Sequence, residues 1–262
     1  MKLRTLFEKR AVLLEPETAE EKVLGRFTVI TDLHIGFEEK FKASGVNIKS
    51  NVESMGSEIE ELVRSSSAEN LVIAGDIKSG TERILQSEWE NVPKFLGRLA
   101  RECHVTIVPG NHDGGISYLV PDAVQVADIN GFLVSDTLVL HGHTRPLVKY
   151  RDCKRLLMGH VHPVFQKRGS PLSGQPVWAF LKVRRKSIFQ EIVDSEENSM
   201  IDVIVMPSFN LDLAATGYAI EAGKTERRLS PIVKELRSAE EAIITTLAGE
   251  VIGDATLLPN IL

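Results

Sequence analysis

Short apolar runs recur along this chain of 262 residues, and each is cut off abruptly by glycine or a polar side chain. "RFTVI" stops at Thr31-Asp32, "NLVIAG" at Asp76, "HVTIVPG" at Asn111, "DTLVL" at His141-Gly142 and "RLLMG" at His160. Runs of about four to six residues rich in branched aliphatics mark strands buried on both faces. Helical patterns lie between them. Val52, Met55, Ile59, Leu62 and Val63 make an apolar stripe over "NVESMGSEIEELVR". Trp89, Val92, Leu96 and Leu99 make a second, with Pro93 as a kink or restart point. This alternation predicts an α/β layer architecture with parallel pairing. The second half is richer in strands: "PVWAFLKV", "SIFQEIV" and "MIDVIVMPSF", with "DSEENS" as a turn and "AIITTLAGEVI" as a hairpin about Ala248-Gly249. The polar stretch 216–231 reads as a surface loop.

The N-terminal "MKLRTLFEKRAVLLEPE" has charges too closely spaced for a signal peptide, and no apolar run reaches the roughly 20 residues that span a bilayer. Only Cys103 and Cys153 occur, in no metal-binding spacing, which predicts a reducing, cytoplasmic setting. The net charge of −5 hides an asymmetry: residues 145–186 carry eleven Lys or Arg and one acid, Asp152. Such a block either solvates strand and loop faces or attracts phosphate and nucleic acid. Within it "KVRRK" (Lys182, Arg184, Arg185, Lys186) alternates with apolar residues, as a solvated strand face does.

What ends each run carries the chemistry. The runs deliver Asp32 and His34, then Asp76, then Asn111, His112 and Asp113, then His141, then His160 and His162. Loops at the carboxyl ends of strands converge on one crevice, so five such ends can build one site. Of seven histidines, all but His104 fall in these segments, His143 included. Carboxylate, imidazole and amide donors suit Mn²⁺, Fe²⁺ or Zn²⁺, and the lack of thiolates argues against a structural zinc site. Seven candidate ligands are too many for one tetrahedral ion and suit two ions about 3.5–4 Å apart sharing a carboxylate.

The series "DLH", "GD", "GNHD", "HG" and "GHVH", spread from about Phe27 to Pro163, resembles the calcineurin-like metallophosphoesterase superfamily. "DLHIGFEEKFKASGVNI" and "HGHTRP" resemble its small SbcD/Mre11-related branch, although no histidine follows "GDIKSG" where that nuclease group has "GDLFH". The resemblance implies a two-sheet sandwich flanked by helices (four layers, α/β/β/α). It implies one domain over residues 1–262, with 214–262 an extension of it. It implies two divalent ions, Mn²⁺ first among Fe²⁺, Zn²⁺ and Ni²⁺. Asp32, His34 and His162 would hold the first ion, Asp76 would bridge, and Asn111, His141 and His160 would hold the second. His112 would face the substrate and Asp113 would accept a hydrogen bond from its imidazole; His143 and Arg145 are candidate substrate contacts. The activity implied is hydrolysis of phosphodiesters, nucleic acid among them, by in-line attack of metal-activated hydroxide. The alternatives are a phosphomonoesterase of small substrates, and a non-catalytic scaffold or partner subunit of a nucleic-acid-processing complex.

Overall fold

The structure is a computed structural model that describes residues 1–42, 45–189, 199–215 and 230–262. Its first sheet contains β1 (Lys2–Thr5), β2 (Val12–Glu15), β3 (Phe27–Ile30), β4 (Asn70–Ile73), β5 (His104–Ile107) and β6 (Val124–Val126), side by side in that order. β3 to β6 are parallel, and β1 and β2 close one edge as an antiparallel hairpin. The second sheet contains β7 (Phe132–Val134), β8 (Thr137–Leu140), β9 (Arg155–Met158), β10 (Trp178–Arg184), β11 (Met200–Val205), β12 (Glu241–Thr245) and β13 (Val251–Asp254). Their order is β13-β12-β10-β11-β9-β8-β7, with β8, β9 and β11 mutually parallel. Short helices α1 (Ala19–Leu24), α2 (Glu39–Lys42) and α6 (Leu211–Ala215) lie in the connections.

The two sheets face each other across one apolar layer. Val12, Leu14, Val29, Val72 and Val108 of the first sheet and the loop behind β5 meet Val139, Leu157, Trp178, Ile204 and Met206 of the second. This is why the central runs lack polar alternation: the opposite faces of the same strands carry Ile30, Leu71, Ile73 and Ile107 against helices α3 (Val52–Ser66) and α4 (Gln86–Leu99). The second sheet is covered on its far side by Ile188 of α5 (Arg185–Ile188), Ile232, Val233 and Leu236 of α7 (Pro231–Leu236), and Leu258 and Ile261 of α8 (Leu258–Ile261). The protein is an α/β fold of four layers, helices outside and two sheets within, as the resemblance implied. The C-terminal hairpin also forms: β12 pairs with β13 around a turn whose Gly249 has a φ of +85°.

Three expectations change. Helix α4 runs through Pro93 without restarting. Trp89 is exposed rather than part of its apolar stripe; the inward position in that first turn is taken by Glu88. "SIFQEIV" begins as the end of α5, and its later residues, like the predicted turn in "DSEENS" up to residue 198 and the loop 216–229, lie outside the described residues. The strands β1, β2, β6 and β7, three or four residues each, were not singled out in the sequence.

Candidate active site

The five loops behind β3, β4, β5, β8 and β9 meet at one edge of the sandwich. The backbone keeps the parallel pairing going past the strand ends: Asp32 N–H donates to Gly75 O at 3.1 Å, and the Leu33 and His34 N–H groups donate to Asp76 O at 3.0 and 2.9 Å. Gly159 N–H donates to His141 O at 3.1 Å in the second sheet. A cross-link between sheets comes from the segment behind β11, where Phe209 N–H donates to Thr31 O at 2.8 Å. Asn210 Nδ2 donates to Leu33 O at 2.8 Å.

Side chains from both sheets therefore converge. Asp32, His34, Asp76 and His162 bring one donor atom each within 4.8 Å of one another, and Asp76, His141 and His160 do the same. Asp76 belongs to both groups. Its Oδ2 lies 3.4 Å from His34 Nε2 and 3.3 Å from His141 Nε2. His162 Nε2 stands 3.1 Å from Asp32 Oδ1, and Asn111 Oδ1 stands 3.1 Å from His141 Nε2. Five of these residues, Asp32, His34, Asp76, His160 and His162, have φ between 45° and 71°. Left-handed backbone at non-glycine residues costs of order 1 kcal/mol each and is held only where the surroundings over-determine it. Here the neighbouring strands do so, and the turns aim every side chain inward.

Orientation is fixed by the remaining lone pairs and protons. His141 Nδ1–H donates to Ala74 O at 3.0 Å, which leaves Nε2 as the inward donor atom. Asp32 Oδ2 accepts from Thr31 Oγ1 at 2.7 Å and from the His160 N–H at 3.1 Å, so Oδ1 faces the cluster. The electrostatics divide the histidines. Burial opposes ionisation of His141, but the Asp76 and Asp32 carboxylates outweigh it and raise the imidazole to about 9. Burial and the His141 charge push His160 down to about 3. The donor set is nitrogen and oxygen only, mostly buried, and supplied with two carboxylates, which fits divalent cations of the Mn²⁺, Fe²⁺ and Zn²⁺ kind.

His112 enters the same pocket, its Nε2 3.9 Å from Asp76 Oδ2. Its partner differs from the expected one. Nδ1–H donates to Ser79 O at 2.7 Å, not to Asp113. Asp113 uses Oδ1 to accept from the Ile77 and Lys78 N–H groups and Oδ2 to accept from Gly110 N–H, all three of them backbone amides. Burial and the nearby Asp76 charge raise its carboxyl to about 6. Asp113 builds the loop on which Asn111 and His112 sit, and Ser79, whose contribution is a backbone carbonyl, left no trace in the residue pattern. Gly110 does not have left-handed backbone; what it supplies is space beneath Asp76.

His143 is half-buried, its ring centroid 5.2 Å from that of His141 and 6.2 Å from that of His160. Arg145 is drawn elsewhere. Its guanidinium donates to the Ser187 and Ile188 carbonyls and lies 3.4 Å from Glu235, tying the loop to α5 and α7. The basic block is likewise dispersed: Lys154 and Arg155 pair with Asp136, Arg185 donates to the Arg151 and Cys153 carbonyls, and Lys182 and Arg184 occupy the exposed face of β10.

The sequence from residue 25 to residue 182 matches the family model for the calcineurin-like phosphoesterases. The chain belongs to the calcineurin-like phosphoesterase family. It is accordingly a metal-dependent phosphoesterase, and the matched segment of this calcineurin-like phosphoesterase contains all the clustered residues described above. No curated protein is significantly similar to it in sequence. Among solved structures it is similar to the nuclease MPE of Pseudomonas putida, with 19% identity, a TM-score of 0.49, and 78% of this chain and 81% of that one covered. It is also similar to YfcE, a phosphoesterase from E. coli, with 22% identity, a TM-score of 0.34, and 55% of this chain and 74% of that one covered. Among the described residues, no helix is long and apolar enough to cross a membrane.

Proposed function

We propose that this phosphoesterase holds two divalent ions, Mn²⁺ foremost, and hydrolyses phosphodiesters, nucleic-acid strands among them. The observation that carries the reading is the Asp76 carboxylate, which belongs at once to two groups of donor atoms. Asp32, His34 and His162 complete one side, and His141, His160 and Asn111 the other. When bound, such a pair of ions supplies Lewis acidity to the phosphoryl oxygens and a lowered pKa for the attacking water. The protein's own part is to hold the donors in place, exclude bulk water, and present His112. With Nδ1–H committed to Ser79 O, the imidazole turns Nε2 toward the pocket, where the imidazolium form, carrying a second proton on Nε2, would contact the phosphoryl group or deliver that proton to the leaving oxygen. His143 lines the same pocket as a second substrate contact. Arg145 takes no part, because α5 and α7 already engage it.

The reading treats residues 1–262 as one working domain, since β12 joins the second sheet through β10. A cytoplasmic location fits the two free cysteines. The nucleic-acid substrate is supported by the exposed Lys167 and Arg168, on the loop that leaves His162. The test is direct. Purified protein loaded with Mn²⁺ is assayed on a small diester, a small monoester, and labelled single- and double-stranded DNA and RNA. Strand cleavage together with diester hydrolysis supports the proposal; hydrolysis of the monoester alone refutes it. His112→Ala is expected to lower kcat roughly 100- to 10,000-fold while the bound metal is retained.

A further inference from the structure

We propose that Glu88 is a positioning residue for phosphoester hydrolysis, acting on the His112 imidazole through the Lys78–Gly80 loop. The inference rests on the functional reading above. Glu88 lies in the first turn of α4 and is fully buried. Its Oε2 accepts from Leu85 N–H at 2.7 Å, an ordinary bond at a helix start. Its Oε1 does something a helix cap does not need. It reaches out of the helix and accepts from two successive amides, Ser79 N–H at 2.9 Å and Gly80 N–H at 2.6 Å.

Those amides flank the group that matters. With its N–H groups drawn toward Glu88, the strand-to-loop backbone turns the Ser79 carbonyl the other way, onto His112 Nδ1 at 2.7 Å. The Ser79 hydroxyl takes no part, since its buried Oγ has no hydrogen-bond partner. The loop is pinned at its other points too. Lys78 N–H donates to Asp113 Oδ1 at 3.3 Å, and the buried Lys78 ammonium donates to Gly80 O. Among the described residues, Glu88 forms no ion pair with Lys, Arg or His. Its carboxylate is engaged by amide donors, each a charge-assisted bond of the stronger kind. A buried carboxylate is unfavourable unless its oxygens are fully bonded. Two of its three bonds serve to aim one carbonyl at the imidazole that faces the substrate.

The test compares Glu88→Ala and Glu88→Gln, each alone and combined with His112→Ala, in metal-loaded protein. kcat and KM are measured on a small diester, bound metal by elemental analysis, and the His112 Nδ1–H by ¹⁵N-resolved NMR of the zinc-loaded form. Glu88→Ala is expected to lower kcat roughly 10- to 100-fold, the scale of a small misplacement of a reacting group. KM and bound metal stay within about twofold of the parent, and the protected Nδ1–H signal is lost. In the His112→Ala background the same change is expected to leave kcat within about twofold, because residues acting in series are not additive. Glu88→Gln keeps an acceptor oxygen for the loop amides and recovers most of the activity. Equal losses in both backgrounds, or a lowered melting temperature with kcat and the NMR signal unchanged, would overturn the proposal. If Glu88→Ala does not fold, Glu88→Asp, whose shorter side chain draws the carboxylate back from the Ser79 and Gly80 amides, takes its place in the cycle and is judged by the same criterion. The NMR result is independent of turnover, so a protein that hydrolysed no phosphate ester would sink the functional reading while leaving this geometry separately tested.

Discussion

Gly110 runs so close beneath Asp76 that a β-carbon on it would overlap the carboxylate and the backbone nitrogen of Asp76. The residue that joins the two donor groups is thus seated on a glycine from a neighbouring strand end. Gly159 stands in the same relation to Thr31 and Asp32 across the sheets. Neither glycine has the left-handed backbone that would announce its importance.

Gly110→Ala is expected to displace Asp76 and weaken metal binding by roughly 10- to 100-fold, as loss of a supporting contact does. The overpacking also costs about 1–3 kcal/mol. Calorimetric titration with Mn²⁺ reads the first effect and thermal melting the second. Gly97→Ala is the control. Gly97 lies inside α4, where an added β-carbon would meet only Pro121 Cγ, at 3.9 Å. That substitution should stabilise by about 0.5–1 kcal/mol and leave metal affinity alone.

Asp76→Asn removes the one carboxylate common to both donor groups. Elemental analysis of the purified variant should find less than half the parent's metal, with turnover reduced at least about a thousandfold, a loss of several kcal/mol in transition-state stabilisation. Substitution of Asn111, whose Oδ1 lies 3.1 Å from His141 Nε2, should spare the other donor group. Equal metal loss in both variants would contradict the shared-carboxylate geometry.

The buried Asp32 and Asp76 carboxylates repel each other, and a bound cation would offset that repulsion. Adding Mn²⁺ at about a hundred times its dissociation constant should stabilise the fold by about 2.7 kcal/mol, and a chelator should reverse it. A melting temperature indifferent to Mn²⁺ would count against any cation site here.

Arg98 of α4 grips Glu60 of α3 through Nε at 2.5 Å and Nη2 at 2.8 Å. The guanidinium holds the Glu60 carboxyl below its usual value of 4.5. A depressed folded-state value means that the stabilisation is complete above the unfolded value and is lost as pH falls through the folded one. Glu60→Gln should therefore destabilise by up to about 1 kcal/mol at pH 7, the scale of a partly exposed pair. The difference from the parent should fade in strong acid. Melting curves of both proteins across that range check the sign.

The arrest of each apolar run by Asp, Asn or His was enough, residue by residue, to mark Asp32, His34, Asp76, Asn111, His141, His160 and His162 as candidates, because a strand buried on both faces tolerates a threonine but seldom an ionisable side chain until it ends. The same local logic placed the central strands, α3 and the C-terminal hairpin. It missed β1, β2, β6 and β7, which lie at or next to sheet edges. It also gave His112 the wrong partner. A backbone carbonyl such as that of Ser79 has no signature in residue type, and a carboxylate beside a histidine in sequence, Asp113, attracts the assignment by proximity alone. Which lone pair meets which proton, and that Glu88 in the first turn of the next helix aims the Ser79 carbonyl at an imidazole 33 residues on, was decided only when the chain closed on itself. Side-chain chemistry is written one residue at a time, whereas hydrogen-bond direction and close approach are properties of backbones brought together from far apart.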